Sequence, residues 1–173
     1  MITIKILSVD QSRNGAFSIF DYERGTLLFY GAFSHPRRQY SYAQAVLDIE
    51  KLVDRLIREN EISAAFIEGI HLGRNVQSFC ALAQLQGVLI NLFEKNAYRY
   101  AVVPSAAWKA RCAAVLGQAV PEGAAASKRM ALDFVRKTFR IQTQNDNLAD
   151  AVCIGWYVCS HIIIEENTIY VKE

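Results

Sequence analysis

The N-terminal segment constrains the fold most strongly, because residues 2–10 alternate apolar and polar side chains and are rich in β-branched residues. This pattern predicts a β-strand. One face of the strand carries Ile4, Ile6, Ser8 and Asp10. Two similar segments follow at residues 16–22 and 26–33, and the short polar loop between them contains Gly25 and has hairpin length. We therefore expect three antiparallel strands at the start of the fold.

The rest of the chain alternates between helical and strand patterns. Apolar residues at helical spacing predict helices at residues 42–60, 76–93, 105–112, 128–139 and 146–164, the last with a short extended tail. Mostly apolar runs predict buried strands at residues 64–68 and 98–103. Residues 115–126 are rich in Gly and Ala and predict a mobile loop, after which Ser127 is a candidate helix cap. This order predicts an α/β fold with helices on both faces of the sheet.

The helix predicted at residues 76–93 is apolar over most of its surface. Its predicted inward stripe consists of Phe79, Cys80, Ala83, Gly87 and Ile90. Leu82, Leu85, Leu89 and Leu92 lie outside that stripe. A two-fold partner would cover this second surface, and burial of a central helix within the domain is the alternative.

Length and composition favour a single domain spanning residues 1–173. Of the 173 residues, 52% are hydrophobic, which is enough for one sizeable core. The net charge of +2 gives no bulk electrostatic case for a polyanionic partner, so any nucleic-acid surface must be local. The sequence shows neither a leader nor an apolar run of the roughly 20 residues that span a bilayer. We expect a soluble, cytoplasmic protein that binds neither a membrane nor a small-molecule cofactor.

The cysteines do not suggest a zinc site. Cys80, Cys112, Cys153 and Cys159 lack the paired close spacing of zinc ligands. We expect them to be buried free thiols.

Acidic residues occupy positions that favour a shared site. Asp10 ends the first predicted strand and Glu68 ends the fourth, and the ends of neighbouring strands meet at one edge of a sheet. Asp150 lies near the start of the last predicted helix, with Asp146 or Asn147 one turn earlier on the same side. If that turn faces the strand edge, three or four oxygen-bearing side chains converge.

A convergent set of carboxylates predicts a divalent cation, because close carboxylates resist joint ionisation unless a cation lies between them. All-oxygen sites suit Mg²⁺ or Mn²⁺, and two such ions about 3.5–4 Å apart stabilise both the attacking and the leaving oxygen in phosphodiester hydrolysis. Each acid also has a simpler interpretation, since Asp at a strand end commonly forms a turn and Asp146 could serve only as a helix cap. The joint pattern favours nuclease chemistry.

Several segments, in this order, resemble the RuvC family of Holliday junction resolvases, most of all its phage and poxvirus-like branch. They are ILSVDQSRNGAFSIF, FIEGIHLGRNVQSFCALAQLQGVL, PSAAWK, SKRMALDFV and NDNLADAVCIG. The resemblance covers nearly the whole chain. It implies an RNase H-like fold with a mixed five-stranded sheet, a homodimer, and Mg²⁺-dependent symmetric nicking of four-way DNA junctions. It also implies that Asp10, Glu68 and Asp150 are metal ligands, with two ions per active site and Mn²⁺ as a substitute.

The fourth metal ligand is where the sequence departs from the cellular members of the family. Three residues before the final Asp, those enzymes resemble one another in having a carboxylate or histidine, whereas this chain has Asn147 there and Asp146 one step earlier. Phage-like members are similar in this respect, so Asp146 is the expected ligand. Weak ligation through the amide oxygen of Asn147 is the alternative.

Two lysines resemble the family's functional lysines, which lie close to the scissile phosphate. They are Lys109 and Lys128, and a lysine in that place neutralises the negative charge that develops on the phosphoryl oxygens. Lys128 falls in the first turn of its predicted helix, where the helix dipole disfavours a cation. That position argues against a merely solvated role for Lys128.

The residues after the fourth strand are expected to contact DNA. Arg74 and Asn75 open the next helix, where exposed backbone amides and a guanidinium favour a phosphate contact. Cellular relatives resemble one another in placing a Phe near the branch point in this loop, so we expect His71 or its neighbour Ile70 or Leu72 to stack on a base, with simple loop packing as the alternative. Arg13 and Arg129 are further candidates for backbone contact, with solvated surface roles as their alternative.

Other functions remain open beside the dimeric junction resolvase. A nuclease of the same fold could act on flaps, replication forks or RNA hybrids. A catalytically silent junction-binding protein, in which Asn147 marks a degraded site, is a second alternative. A nucleotide-binding ATPase ranks last, because no Gly-rich phosphate loop follows the first strand.

Overall fold

A computed structural model describes residues 3–70, 75–165 and 168–172 of the chain. In chain order its elements are β1 (Lys5–Asp10), β2 (Ala16–Asp21), β3 (Thr26–Ala32), α1 (Tyr42–Glu59), β4 (Ala64–Glu68), α2 (Val76–Lys95), β5 (Tyr100–Val103), α3 (Ser105–Val115), α4 (Ala124–Phe139), α5 (Asp146–His161), β6 (Ile162–Ile164) and β7 (Ile169–Val171). The predicted order of strands and helices is confirmed.

The first five strands form one mixed sheet in the order β3-β2-β1-β4-β5. β1 pairs antiparallel with β2 and parallel with β4, and β4 pairs parallel with β5. In the parallel register Ile6 lies opposite Ala64 and Val9 lies opposite Ile67. The next residues along the two strands are Asp10 and Glu68, so both carboxylates follow the same edge of the sheet.

Alternation along the strands divides the interior into two cores. Leu7 and Val9 of β1 belong to the core that α1 and α2 cover. Ile6 of β1 and Phe66 of β4 belong to the core on the other face, which α3, α4 and α5 cover. Because side chains alternate with period two, Asp10 and Glu68 fall on the face of Ile6 and Phe66. The sheet therefore presents both acids to α3, α4 and α5.

Two predictions about α4 are wrong. The helix begins at Ala124, with Gly123 at its N-cap (φ 83°), so Ser127 lies inside the helix and does not cap it. Three consecutive alanines, which are strong helix formers, extend the helix into the segment predicted as a loop. Lys128 therefore lies in the second turn, beyond the first turn where the helix dipole would disfavour its charge.

The last predicted helix is three residues too long. α5 ends at His161, and the three isoleucines that follow form β6, which pairs with β7 in a small antiparallel sheet. β-branched residues favour an extended backbone, which the apolar periodicity of the segment does not reveal.

The predicted inward stripe of α2 is also wrong. The buried residues of this helix are Leu85, Leu89, Leu92 and Phe93. Cys80 and Gly87 of the predicted stripe are exposed, and Phe79 is only half-buried. α2 is apolar on nearly every side, so periodicity alone cannot tell which side packs on the sheet. Among the described residues, α2 is also the one helix long and apolar enough to cross a membrane by length and composition alone, a test that core helices of soluble proteins also pass.

The cysteines agree with expectation in part. All four are free thiols. Cys112 and Cys153 are buried between helices, whereas Cys159 is half-buried and Cys80 is exposed. The prediction of burial is therefore confirmed for two of the four cysteines.

Candidate active site

Asp10 and Glu68 follow paired strands in the centre of the sheet. Asp10 is 8% exposed, although it carries a carboxylate at the end of an otherwise apolar strand. Glu68 is half-buried and follows the fully buried Ile67. Two carboxylates that share one sheet edge form the base of the site.

Helix α5 brings two further acids to this edge. Its N-cap is Asn145, whose side chain accepts a hydrogen bond from the backbone N–H of Leu148, and Asp146 is the first helical residue. Asp146 is therefore not the cap that its simpler interpretation required. Asp150 follows one turn later, as the sequence spacing predicts.

Buried hydroxyl groups fix α5 against the sheet directly beneath Asp150. The hydroxyls of Ser8 and Ser18 lie 2.6 Å apart, and each lies 2.9 Å from the carbonyl oxygen of Ala151. At Gly155 the helix approaches so closely that a Cβ would lie 2.5 Å from the ring of Phe20. The position of Asp150 is thus set by a tight contact between α5, β1 and β2.

The four acids act on one another electrostatically. Burial, followed by the charges of Glu68, Asp150 and Asp146, raises the pKa of Asp10 well above its usual value. Burial and the charge of Glu68 raise the pKa of Asp150 to about 7, and Asp146 adds to the effect. The charges of Glu68 and Asp146 thus act on both Asp10 and Asp150. A divalent cation placed among such carboxylates would relieve this repulsion.

Two lysines counter this negative field. Lys109 of α3 lowers the pKa values of both Asp10 and Asp150. Lys128 of α4 forms an ion pair with Asp146, with its Nζ 2.5 Å from Oδ2. That hydrogen bond and the charge of Asp146 raise the pKa of Lys128, with smaller contributions from Asp150 and Asp10. Both predicted lysines therefore belong to the cluster.

Trp108 is a site residue that our reading of the sequence missed. Its indole N–H donates to Oε1 of Glu68 at 3.0 Å, and the residue is fully buried. The ammonium of Lys109 lies 5.1 Å from the centroid of the same ring, within the range of a cation–π interaction. A tryptophan directly before a candidate lysine was the available signal in PSAAWK.

Gln11 is a second residue that the sequence reading missed. It is 3% exposed, and its amide nitrogen donates to the backbone carbonyl of Glu68 at 2.7 Å and to Oε1 of Gln86 at 3.3 Å. These bonds tie the loop after Asp10 to the end of β4 and to α2. A lone glutamine after a strand gives no sequence signal for this role.

The donor set fits a hard divalent cation, because it consists of carboxylate oxygens that repel one another. In the described part of the chain, no three Asp, Glu, His or Cys side chains already converge on a single metal position. Asp146 is paired with Lys128, and the amide nitrogen of Asn147 donates to the backbone carbonyl of Asn14. The charge of Asp146 contributes to the raised pKa values of Asp10 and Asp150.

The candidate DNA-binding residues lie in different settings. Asn75 caps α2 by accepting a hydrogen bond from the backbone N–H of Ser78. The guanidinium of Arg13 donates to the backbone carbonyls of His35 and Tyr40, which gives it a structural role. Arg129 is exposed on α4. The predictions for His71, Leu72 and Arg74 fall outside the described residues.

Solved structures of junction resolvases share this fold. The chain is similar to the Thermus thermophilus RuvC structure (TM-score 0.67, 15% identity, 90% of this chain and 95% of that one). It is similar to T. thermophilus RuvC in complex with a Holliday junction substrate (TM-score 0.62, 10% identity, 90% and 94%). It is also similar to the Fowlpox virus resolvase in complex with Holliday junction DNA (TM-score 0.60, 13% identity, 91% and 97%). The protein thus has the RNase H-like α/β fold, with an acidic cluster at the ends of two parallel strands.

The sequence also matches a protein family. Residues 11–159 match the family described as crossover junction endodeoxyribonuclease RuvC. Comparison with proteins of curated function gave no match. Because the family match spans most of the chain, the protein belongs to the RuvC family.

Proposed function

We propose that the protein is a Holliday junction resolvase, an endodeoxyribonuclease that nicks four-way DNA junctions with the help of divalent cations. The observation that carries this proposal is the match of residues 11–159 to the RuvC family, in a chain whose Asp10 and Glu68 end two paired parallel strands beside Asp146 and Asp150 of α5. Structures that share its fold include RuvC and a poxvirus resolvase, each in complex with junction DNA.

Asp10, Glu68 and Asp150 would hold the cation, with Asp146 as the fourth ligand. When bound, Mg²⁺ or Mn²⁺ supplies Lewis-acid stabilisation of the phosphoryl oxygens, and the resemblance implies two ions per site. Asp146 supports this role better than Asn147, because its charge acts on Asp10 and Asp150 and the Asn147 amide is bonded to another loop. Movement of Lys128 away from Asp146 would release that carboxylate for the cation.

The lysines have a separate task in this proposal. Lys109 is held above the ring of Trp108, and Lys128 extends from α4 to the start of α5. Each ammonium lies beside the carboxylates that bind the cation, and so beside the phosphate that the cation would contact. There it stabilises the negative charge that develops during cleavage.

A homodimer would complete the enzyme, because two symmetric cuts need two active sites. The exposed side of α2 is the surface that a second copy would cover. It combines Val76, which is 60% exposed, and the exposed Cys80 and Gly87 with polar residues such as Gln84 and Asn91. Such a mixture of apolar and polar residues is typical of interfaces between soluble proteins. We favour this over membrane insertion, and place the protein in the cytoplasm with its DNA substrate.

The experiment is cleavage of labelled four-way junctions over a Mg²⁺ titration, with flaps, forks and RNA–DNA hybrids assayed beside them. We expect symmetric nicks in the junction only, and none without metal. Asp10→Asn, Glu68→Gln and Asp150→Asn should each abolish nicking while junction binding is kept or improved, because they remove metal ligands and negative charge. Preferred cleavage of another substrate would redirect the assignment to that substrate. Metal-dependent nicking by any of these variants, or junction binding without nicking by the unaltered chain, would overturn it.

A further inference from the structure

A polar groove runs along α4 away from the carboxylate cluster. It has a volume of about 400 Å³ and is lined by Arg129, Leu132, Asp133, Arg136, Ile141, Gln142, Thr143 and Gln144. One wall is α4, and the other is the segment that leads to α5. Arg129 directly follows Lys128, and Gln144 lies two residues before Asp146. The groove-lining residues Arg129 and Gln144 are thus close in sequence to the two residues of the Lys128–Asp146 ion pair.

The groove lies in the most cationic part of the chain. Segment 128–140 holds five of the 19 lysines and arginines and a single acid, Asp133, in a protein whose net charge is only +2. Arg129 and Arg136 are both exposed, and Asp133 pairs with Arg136 at 2.5 Å along the helix. Arginines beside neutral amide and hydroxyl groups are the donors that proteins use on DNA phosphates.

We propose that this groove binds the phosphate backbone of the junction arm next to the cut, a proposal that rests on the proposed function. Arg136 lies eight residues after Lys128, which is about 12 Å along a helix at 1.5 Å per residue. Phosphates of one strand are spaced about 3.4 Å apart along the duplex axis. With the arm aligned along α4, Arg136 reaches a phosphate about three to four base pairs from the scissile one, and Arg129, about 1.5 Å along the helix from Lys128, reaches a phosphate next to the cut.

The test combines protein variants with charge-neutral phosphates. A single methylphosphonate replaces one phosphate of the junction at successive positions from the cut. The affinity for each modified junction is measured for the unaltered protein, Arg129→Gln and Arg136→Gln. Metal is left out so that the junction is not cleaved. Arg55→Gln is the matched control, because Arg55 is exposed on α1, on the opposite face of the sheet. We expect a methylphosphonate three to four pairs away to weaken binding about tenfold for the unaltered protein and not for Arg136→Gln.

The salt dependence of binding gives an independent readout. Loss of one phosphate contact should lower the slope of log affinity against log salt by about 0.9 for Arg136→Gln, with no change for Arg55→Gln. Equal methylphosphonate effects in the variant and the unaltered protein would overturn the groove proposal while leaving resolvase activity in place. An unaltered protein that binds no junction would instead overturn the proposed function.

A separate set of contacts assigns a role to Trp108. The indole of Trp108 is fully buried, and its N–H donates a hydrogen bond to the carboxylate of Glu68 at 3.0 Å. The ammonium of Lys109 lies over the same ring. We infer that Trp108 is a positioning residue that orients Glu68 for the cation. The inference rests on the proposed function in taking Glu68 as a metal ligand.

The test measures Mn²⁺ affinity of the free protein, without DNA or cleavage. Trp108→Phe keeps an aromatic ring and removes the N–H, and should weaken Mn²⁺ binding about 10- to 100-fold. Trp156→Phe is the control, because Trp156 packs on Phe134 with ring centroids 4.7 Å apart and makes no contact that we assign to the site. In a Glu68→Gln background, Trp108→Phe should cause no further loss.

A second variant provides the same test if Trp108→Phe does not fold. Replacing the indole of Trp108 with its benzothiophene isostere keeps ring shape and removes only the N–H donor. Unchanged Mn²⁺ affinity in a folded variant that lacks the N–H would overturn the role of Trp108. No Mn²⁺ binding by the unaltered protein would overturn the metal site itself.

Discussion

The ammonium of Lys128 lies 2.5 Å from Oδ2 of Asp146 and joins α4 to the first turn of α5. A lysine that we propose to act in cleavage and the proposed fourth ligand are thus paired. The pair neutralises one acid of a cluster in which Asp10 and Asp150 already have raised pKa values. Cation binding should therefore compete with the lysine for Asp146.

The first prediction separates Asp146 from Asn147 as the fourth ligand. Asp146→Asn should weaken Mg²⁺ affinity at least about tenfold, because it removes a charge from the cluster. Asn147→Ala should change it less, because the amide of Asn147 is bonded to the backbone of Asn14. Isothermal titration of the free protein with Mg²⁺ compares the two. A larger loss in Asn147→Ala would assign the ligand to Asn147.

The second prediction concerns the contact that positions Asp150. Gly155→Ala should destabilise the protein by about 1–3 kcal/mol or more, because its Cβ would lie 2.5 Å from Phe20 and 2.7 Å from Ser8 Oγ. Gly87→Ala is the matched control within a helix, where nothing lies within 4 Å of the new Cβ, and should stabilise by about 0.8–1 kcal/mol. Urea unfolding at a concentration where the chain is monomeric measures both. Equal changes in the free energy of unfolding for Gly155→Ala and Gly87→Ala would contradict the close packing of α5 on the sheet.

The third prediction tests the α2 surface as the dimer interface. Gln84→Glu places a charge at an exposed position of α2 and should convert dimers to monomers in sedimentation velocity. Leu47→Glu introduces the same charge at a residue of α1 that is 51% exposed and should leave the dimer intact. A dimer that survives Gln84→Glu, or a chain that is monomeric before any change, would rule out this interface.

The fourth prediction is a pH dependence of the metal-free protein. The pKa of Asp150 is about 7 in the folded chain and close to 3.8 when unfolded, so between these values the folded state binds a proton that the unfolded state lacks. The free energy of unfolding should therefore fall as pH rises from about 4 to 7. Asp10, whose pKa is also raised, adds to the slope.

The measurement is chemical unfolding across this pH range in EDTA. Asp150→Asn should flatten the decline, and saturating Mg²⁺ should oppose it, because the cation binds the ionised carboxylates. A decline that is unchanged in Asp150→Asn would show that other groups cause it.

Much of the site could be predicted because its signals are local. Alternation along β1 and β4 puts Asp10 and Glu68 on one face, and helical spacing puts Asp146 one turn before Asp150. These patterns depend on the period of a strand or a helix and on little else. The α/β order of strands and helices followed from the same periodicities, whereas the mixed five-stranded sheet was implied by the resemblance to the RuvC family.

The sequence by itself thus determined which acids occur at strand and helix ends, and how the elements alternate. Only the tertiary structure decided which side of α2 is buried, that Lys128 pairs with Asp146, and that Trp108 and Gln11 bond to Glu68. The physical reason is that these outcomes depend on contacts between residues far apart in the chain. A helix that is apolar all round, or a lone tryptophan, has no local pattern that selects its partner.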